Sequence, residues 1–385
     1  MKQELKKAYI VFIEDNEYLL WQLELFLFSI TRRAGIKEED IFLFWACPEY
    51  YSKLDTSQDP ATVEKSLWLQ GILQAYPLMK AFYSQNFGRQ NRCFRFMGEG
   101  KGFHGVEYVG INKWASWIEW ANDGLFKPYD EIFILEQDLW FSGKFPAFEG
   151  RNVVSYNWIP KRKEAFCRQS DPKKALDDWA KIRDFTTWEH EGWDVDEIMS
   201  LTKIPKKQQS LWSQGAVLFK YCVEDLTPKF FNDLLNYQYL LLHMGEIAHP
   251  LGKIHETDMM APSLAACNNN LKMTVSSAKQ VCADTWCTAD QYENDDLPDG
   301  AIVHYGWTFK NYPFLAKDEK KPVKFGKSYY YDSAPWQDKK GKLEKDMERS
   351  KYQWTKNFFQ DMLDIRKDYS HITRRCDKKA GKIRV

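Results

Sequence analysis

The chain has 385 residues, enough for one large domain or two smaller ones, and its 54 basic residues balance its 54 acidic ones. A formal net charge of +0 excludes a general attraction of the whole protein to polyanions, although residues 317–385 hold 20 Lys and Arg against 11 Asp and Glu and so carry a local surplus of +9. The 8 Cys form no Cys-x-x-Cys pair, which disfavours a zinc site and indicates reduced thiols.

The predicted location rests on two features that the sequence lacks. No apolar run reaches the roughly 18 residues needed to cross a bilayer, and no signal-peptide core follows Met1. The first predicted strand begins by Ala8, which leaves no room for a targeting segment. The sequence therefore predicts a cytoplasmic protein with no membrane partner.

The first 45 residues predict the opening of an α/β domain. Ala8–Ile13 is an apolar run typical of a buried strand, and Ile41–Trp45 is a second one. Between them Asn16 can cap a helix whose apolar residues recur at helical spacing, and Gly35 is a plausible helix stop. No GxGxxG or GxxxxGK[ST] motif follows either strand, so a bound nucleotide would need another source of positive charge for its phosphates.

The next segments are predicted to be mainly helical. Residues 61–87 have a helical pattern, and the Gly-rich stretch 98–105 is a connection that could also be a mobile loop. Asn112 then opens a helix over Lys113–Ala121, whose tryptophans fall on one side and are explained most simply as core. Pro128 and Asp130 interrupt the chain before the next strand.

The stretch Glu131-Ile-Phe-Ile-Leu-Glu-Gln-Asp-Leu-Trp-Phe141 is the centre of the prediction. Its four apolar residues indicate a strand buried on both faces, followed at once by Glu136-Gln-Asp138. In open α/β sheets the ligand crevice lies at the carboxyl ends of strands, and two carboxylates there suit a hard divalent cation. The alternative is an ordinary strand end whose acids face water.

The second half of the chain supplies further candidates. A strand is predicted at Val153–Trp158, an irregular or helical insertion at 160–207, and a bend at Gly215 within 211–219. A helix is predicted from Val223 to about Met244. Two functional candidates follow. The first is the pair of acids in His255-Glu-Thr-Asp258, which could equally be helix caps. The second is His304 in the predicted strand Ala301–Trp307, which could equally be structural, as a lone histidine usually is.

Four stretches together resemble a GT-A fold glycosyltransferase, and more narrowly the plant hydroxyproline O-arabinosyltransferase and peptidyl-serine galactosyltransferase group. They are Gly110-Ile-Asn-Lys-Trp-Ala-Ser-Trp-Ile-Glu-Trp120, Ile134-Leu-Glu-Gln-Asp-Leu-Trp-Phe141, Gln214-Gly-Ala-Val-Leu-Phe219 and Ile302-Val-His-Tyr-Gly306. The first is similar to the family's Asn-Lys/Arg-x-x-Ala helix, and the second to its Glu-Pro-Asp-His form of the DxD metal motif. Here Gln137 replaces the proline and Leu139 the histidine, so the role of that histidine has no counterpart.

The resemblance implies a GT-A domain over about residues 1–315, a Rossmann-like mixed sheet flanked by helices, with residues 316–385 as a basic, aromatic-rich C-terminal region. It implies a UDP-sugar donor, with a pentose such as arabinose favoured and a hexose possible, and Mn²⁺ or Mg²⁺ as cofactor. The residues it implies are Asp138, Glu136 and His304 as metal ligands; Glu136, Gln137, Asp138, Lys113 and Asn112 at the donor; and Glu256 and Asp258 as acceptor-side base or sugar contact.

The acceptor is a hydroxyl group whose carrier the sequence leaves open. The C-terminal region mixes basic and aromatic residues, a pattern that suits a nucleic-acid backbone with stacking partners. One hypothesis is therefore transfer onto hydroxymethylated bases of phage DNA in the host cytoplasm, with the base flipped out. A solvated basic tail, or a protein or glycan hydroxyl as acceptor, is the alternative.

Two other classes of function remain open at this point. The aromatic side chains could form the platform of a non-catalytic module that binds sugars or nucleotides. Glu136 and Asp138 could instead be the acid/base pair of a hydrolase, because residues two apart on a strand point the same way. Sensitivity of activity and of metal dependence to the change Asp138→Asn discriminates the enzyme from the binding module.

Overall fold

The structure is a computed structural model that describes residues 5–46, 65–83, 110–122, 124–155, 203–204, 217–248, 257–276, 280–282, 300–306, 309–311, 313–331, 333–338 and 340–379. The strands in these residues are β1 (Lys7–Glu14), β2 (Ile41–Ala46), β3 (Lys80–Tyr83), β4 (Glu131–Leu135), β5 (Leu139–Phe141), β6 (Asn152–Val154), β7 (Leu218–Cys222), β8 (Met273–Val275), β9 (Val281–Cys282) and β10 (Ile302–His304). The α-helices are α1 (Glu17–Arg32), α2 (Leu67–Ala75), α3 (Gly110–Asn122), α4 (Pro228–Ala248), α5 (Thr257–Asn268), α6 (Lys342–Arg349) and α7 (Gln353–Lys379).

The chain divides into two compact units. The first consists of residues 1–8, 84–134 and 148–276, and the second of residues 9–83, 135–147 and 277–385. The chain enters the second unit at Leu135, the last residue of β4, so the predicted acidic motif belongs to that unit.

The second unit contains the predicted strand–helix–strand opening. β1 and β2 pair in parallel, with Tyr9 opposite Ile41. The predicted cap is confirmed, since the side chain of Asn16 accepts a hydrogen bond from the backbone N–H of Leu19 at 2.9 Å. Gly35, at φ 71°, follows α1 in the left-handed conformation that favours glycine after a helix.

One secondary-structure prediction in this unit is only partly right. The range 61–87 is predicted to be mainly helical, and Leu67–Ala75 do form α2, but Lys80–Tyr83 form β3, which pairs in parallel with β2; residues 61–64 and 84–87 lie outside the described residues. Pro77 ends the helical stretch after α2, because the residue before a proline avoids the helical conformation. Phe82 then stacks between the rings of Phe42 and Phe44 on β2, at centroid distances of 6.3 and 5.5 Å.

A second, smaller sheet in the same unit carries the acidic motif. β5 pairs antiparallel with β10, and β10 pairs in parallel with β9. The register places His304 opposite Leu139, the residue directly after Asp138.

Residues 316–379 pack within this unit. α7 lies against α1 and α2, and its buried Asp361 accepts two hydrogen bonds from the guanidinium of Arg33 at 2.6 Å each. The predicted boundary at residue 315 stays a prediction.

The first unit contains a mixed sheet covered by helices. β7 lies beside β4, β6 pairs antiparallel with β7, and β6 pairs in parallel with β8. The tryptophans of α3 are core, as predicted: Trp114, Trp117 and Trp120 are buried. α4 begins at Pro228 instead of Val223, because a 3₁₀ turn occupies Val223–Asp225 and proline favours the first turn of a helix.

These pairings confirm the α/β class with a mixed sheet and flanking helices. The interior of β4 is buried as predicted, since Ile132 to Leu135 are each at most 2% exposed. Of the helices among the described residues, none combines the length and the apolar character needed to cross a membrane. The Gly-rich stretch 98–105, nearly all of the 160–207 insertion and Gly215 lie outside the described residues.

Candidate active site at the end of strand β4

The chain brings Asp138 and His304 together through strand pairing. A two-residue turn at Gln137 and Asp138 joins β4 to β5, and β10 then runs antiparallel along β5. The backbone N–H of Tyr305 also donates to the carbonyl oxygen of Asp138 at 3.2 Å. Two residues separated by 166 positions in the sequence therefore face each other across one pair of strands.

Asp138 is the centre of a buried charged cluster. Its Oδ2 lies 3.0 Å from Nε2 of His304 and accepts a hydrogen bond from Nζ of Lys327 at 2.5 Å. The Asp138 side chain is only 6% exposed, against 17% for His304 and 15% for Lys327. The carboxylate is thus the most buried of the three side chains.

Electrostatic interactions keep Asp138 and Lys327 charged. Burial alone would raise the pKa of the Asp138 carboxyl, but the charges of His304 and Lys327 and their hydrogen bonds hold it well below its usual range. Burial also works to lower the pKa of the Lys327 ammonium, and the Asp138 carboxylate outweighs it, so this pKa is raised. A full negative charge and a full positive charge therefore face each other at neutral pH.

Gly306 leaves room for the histidine ring. A Cβ at position 306 would lie 2.8 Å from Cε1 and 3.0 Å from Nε2 of His304, which is closer than carbon atoms pack. Only glycine leaves the ring where it is, with Nε2 turned to Asp138.

Aromatic side chains surround the lysine. Nζ of Lys327 lies 6.0 Å from the ring centroid of Tyr18, which stacks on Tyr331 with centroids 4.6 Å apart. Tyr331 and Tyr329 are 57% and 51% exposed, whereas Tyr330 between them is buried and its carbonyl oxygen accepts a hydrogen bond from Nε1 of Trp21 at 2.9 Å. The segment thus anchors one ring and presents two to solvent, as a stacking platform for a sugar or base would require.

The donor set fits a divalent cation such as Mn²⁺ or Mg²⁺. Asp138 Oδ2 and His304 Nε2 lie 3.0 Å apart, at hydrogen-bond distance, and a carboxylate oxygen and an imidazole nitrogen are both common metal ligands in proteins, so these two side chains could together hold a cation. The described residues contain no cluster of three His, Cys, Asp or Glu side chains that could hold a metal. Phosphate and water oxygens would have to complete the shell, as is usual for ions that bind nucleotides.

The remaining predicted residues are placed only in part. Glu136 and Gln137 are half-buried beside Asp138 in the sequence, and the Glu136 charge contributes to the raised pKa of Lys327. Lys113 belongs to the first unit, where it is buried with Nζ 5.3 Å from the ring of Trp114.

The side chains of Asn112 and Asp258, and all of Glu256, lie outside the described residues. The metal-ligand, donor-binding and acceptor-side roles of these residues stay predictions.

Sequence reasoning missed Lys327 and Gly306 as site residues. Lys327 was considered only as part of a basic patch, because 189 positions separate it from Asp138 and no local pattern links the two. The position of Gly306 could have indicated its role, because residues two apart on a strand lie on the same face and position 306 therefore lies beside the ring of His304.

Comparison with known proteins gives matches among solved structures alone. No protein-family model matches the sequence, and no curated protein matches it either. Among solved structures, mouse xyloside xylosyltransferase 1 is similar over 78% of this chain and 98% of its own, with 12% identity and a TM-score of 0.37. The bifunctional glycosyltransferase WbbM is similar over 94% of this chain, with 10% identity and a TM-score of 0.42, and the match spans about half of its length, 53%. At these scores neither likeness assigns an activity.

Proposed function

We propose that this protein transfers a sugar from a nucleoside diphosphate donor to a hydroxyl group, and that Asp138 and His304 form the cation site that holds the donor's diphosphate. The observation that carries the proposal is the contact of Asp138 Oδ2 with His304 Nε2 at 3.0 Å, directly after a buried strand. A cationic group, the Lys327 ammonium, already occupies the same oxygen. The site is therefore built to hold positive charge at the end of a strand, where ligands bind in α/β sheets.

The chemistry of sugar transfer explains why positive charge is needed there. The bond between the anomeric carbon and the phosphate oxygen breaks, and its electron pair leaves with the nucleoside diphosphate. The acceptor oxygen forms the new bond to the anomeric carbon and loses its proton to a base. A divalent ion, when bound, supplies Lewis-acid stabilisation of the leaving diphosphate.

The residues of this chain have separate tasks in that reaction. Asp138 and His304 would hold the cation, and Gly306 leaves room for the histidine ring. Tyr329 and Tyr331 present exposed rings on which a base or sugar could stack. Glu256 and Asp258 stay the proposed acceptor-side base or sugar contacts.

Asp138 is unsuited to donate a proton in a hydrolase. The general acid of a glycosidase needs a raised pKa so that it is protonated at working pH. The pKa of the Asp138 carboxyl is instead well below its usual range, since His304 and Lys327 outweigh the effect of burial. In an acid/base pair Asp138 could therefore act only as the base or nucleophile, and Glu136 would have to be the acid.

The donor and acceptor stay predictions at a finer level. A UDP-pentose donor rests on the sequence resemblance. DNA as acceptor rests on the basic C-terminal region. Two residues of that region are engaged within the fold, since Trp354 is buried and Lys327 pairs with Asp138. The side chains of residues 369–385 lie outside the described residues.

The test of the function is a binding and transfer panel. We expect UDP-sugars with Mn²⁺ to raise the melting temperature of the wild type, because a ligand at a hundredfold excess over its dissociation constant stabilises a fold by about 2.7 kcal/mol. Asp138→Asn should abolish the shift. Asp318→Asn, which removes an aspartate that is 49% exposed and paired with Lys321, is the control and should keep it.

Mass spectrometry would then identify the acceptor among hydroxymethylated DNA, hydroxyl-bearing peptides and glycans. DNA binding that weakens as salt rises is expected if DNA is the acceptor. A stabilised complex without any transfer would favour the non-catalytic binding module. Failure of every nucleotide to bind, with and without Mn²⁺, would refute the proposed function.

A further inference from the structure

Lys327 stands out because it occupies the one carboxylate oxygen that the candidate cation site needs. A carboxylate oxygen has about two lone-pair positions. Both positions of Asp138 Oδ2 are engaged, one facing Nε2 of His304 and the other accepting from Nζ of Lys327. A divalent ion that takes Oδ2 and Nε2 as ligands would lie beside the ammonium on the same oxygen, and two cations this close repel each other strongly in a buried site.

The segment that carries Lys327 is suited to displacement of the ammonium by such an ion. Lys327 begins a short 3₁₀ helix, Lys327–Tyr329, and its ammonium is a point charge on a flexible stem of four carbons. The Arg33–Asp361 pair of the same unit is different, because the guanidinium of Arg33, the residue after α1, donates two hydrogen bonds of 2.6 Å to the buried carboxylate of Asp361 on α7. Lys327 contacts Asp138 through one nitrogen at the end of a side chain with several rotatable bonds, so its ammonium can move by side-chain rotation.

The lysine cannot simply leave. Asp138 is almost fully buried, and a buried carboxylate without a counter-charge is strongly unfavourable. The ammonium is therefore expected to depart only when another cation arrives, and to return when that cation leaves. Two cations that exclude each other from one oxygen are competitors.

We propose that Lys327 is an exchangeable counter-ion: it neutralises Asp138 in the resting protein, yields Asp138 Oδ2 to a divalent cation, and then binds the diphosphate of the donor. The proposal deepens the proposed function and rests on it for the identity of the anion. A diphosphate oxygen bound to the cation would lie beside the place that the ammonium has left, and the three N–H donors of a lysine suit phosphate oxygens. The exposed rings of Tyr329 and Tyr331 on the same segment leave it open to such a ligand.

The first experiment measures two affinities in matched variants. The binding of MnCl₂ alone is followed by electron paramagnetic resonance, and the binding of UDP at saturating Mn²⁺ by calorimetry. The variants are Lys327→Met, which removes the charge, and Lys327→Arg, which keeps it. Lys321→Met is the control, since this lysine is 75% exposed and pairs with Asp318 at 3.6 Å.

The expected signature is an opposite change of the two affinities. Without its competitor, Mn²⁺ should bind Lys327→Met at least about tenfold more tightly than wild type, within the usual range of coupling between two ligands. UDP should bind the same variant about tenfold more weakly, because the contact of the ammonium with phosphate is lost. Lys327→Arg should lie nearer to wild type, and Lys321→Met should equal it.

A second measurement covers the case in which Lys327→Met does not fold. Acetylation of lysines in the wild-type protein is followed by mass spectrometry with Lys321 as internal reference. Mn²⁺ should increase the labelling of Lys327 because the amine leaves Asp138, and UDP added afterwards should reduce it again.

Three results would overturn the inference. They are weaker or unchanged Mn²⁺ binding in Lys327→Met, constant labelling of Lys327 as Mn²⁺ saturates the protein, and absence of Mn²⁺ binding in wild type and variants alike. The proposed function is judged separately, by nucleotide binding and transfer in the wild type. It survives if Lys327 proves to be a purely structural partner of Asp138.

Discussion

Asp138 and Asp361 are two buried carboxylates of the same unit that differ in their hydrogen-bond partners and in the direction of their pKa shifts. Asp361 is held from two sides, by both prongs of Arg33 at 2.6 Å and by Nε1 of Trp140 on β5 at 2.7 Å. Asp138, which precedes β5, is held by a single lysine nitrogen and faces a histidine.

The pKa values separate the two carboxylates as well. Burial raises the pKa of Asp361, and the opposing effects of Arg33 and Trp140 do not cancel it. At Asp138 the neighbouring charges of His304 and Lys327 outweigh burial, and the pKa is lowered. The comparison teaches that a rigid planar contact fixes two helices, whereas a strongly charged carboxylate with a flexible partner is suited to exchange its cation.

The largest effect is expected at Asp361. Asp361→Asn breaks a buried ion pair and leaves Arg33 uncompensated, so the free energy of unfolding should fall by about 3–5 kcal/mol in urea denaturation. Affinity of the folded protein for UDP and Mn²⁺ should not change.

The neighbouring pair supplies the control for this experiment. Arg32 contacts Asp368 at 3.0 Å with side chains 50% and 45% exposed, so Asp368→Asn should cost at most about 1 kcal/mol. Equal losses in the two variants would show that burial does not distinguish the pairs.

The next effect is expected at Asp138, in binding and activity instead of stability. Asp138→Asn removes the anionic ligand of the proposed cation site, and we expect Mn²⁺ affinity and sugar transfer to fall by at least about 100-fold, the upper end of what loss of an outer-shell partner costs. Asp361→Asn measured in the same assay is the matched control. Retention of transfer by Asp138→Asn would contradict the distinction drawn between the two aspartates.

Gly306→Ala should have a smaller effect on the same property. The added methyl group would push the ring of His304 away from Asp138, so Mn²⁺ affinity should fall by about 10–100-fold. Gly35→Ala is the control, because that residue has φ 71° and an added Cβ would meet open space, so the change should cost about 1 kcal/mol of stability without altering Mn²⁺ binding. Unchanged Mn²⁺ affinity in Gly306→Ala would remove His304 from the cation site.

The last prediction concerns Glu24, a third buried carboxyl of the same unit, whose effect on stability develops gradually with pH. Burial raises its pKa to about 8, against a hydrogen bond from Nε1 of Trp68 that lowers it. Between about pH 4.5 and 8 the folded protein keeps a proton that the unfolded chain has lost. The stabilisation is therefore complete below that range and is lost as pH rises through it, by at most about 1 kcal/mol per pH unit.

Denaturation over this pH range checks the prediction for Glu24. Glu24→Gln keeps an acceptor for Trp68 but does not titrate, so its free energy of unfolding should vary less with pH and exceed that of the wild type above pH 8. Parallel pH profiles of the two proteins would show that Glu24 is not protonated in the fold.

Local signals predicted the elements that depend on neighbouring residues. The apolar run before Glu136 and the capping residue Asn16 each act within a few positions, and both predictions are confirmed. β3 was not predicted, because its four residues follow a helical pattern and have no period-2 alternation of their own. Its structure depends on its pairing with β2.

The sequence predicted individual residues of the candidate site but not the contacts between them. The Asp138 and His304 candidates came from the sequence, but their contact depends on the register of β5 and β10. Lys327 reaches Asp138 from a segment 189 positions away, and that contact follows from the packing of the whole unit.

A crystal of the protein soaked with MnCl₂ and UDP, measured at a wavelength where manganese scatters anomalously, tests the central claim most directly. The account predicts an anomalous peak in contact with both Asp138 Oδ2 and His304 Nε2, with diphosphate oxygens on the same ion. A peak at another place on the protein, or UDP bound without any contact to Asp138 or His304, would contradict it.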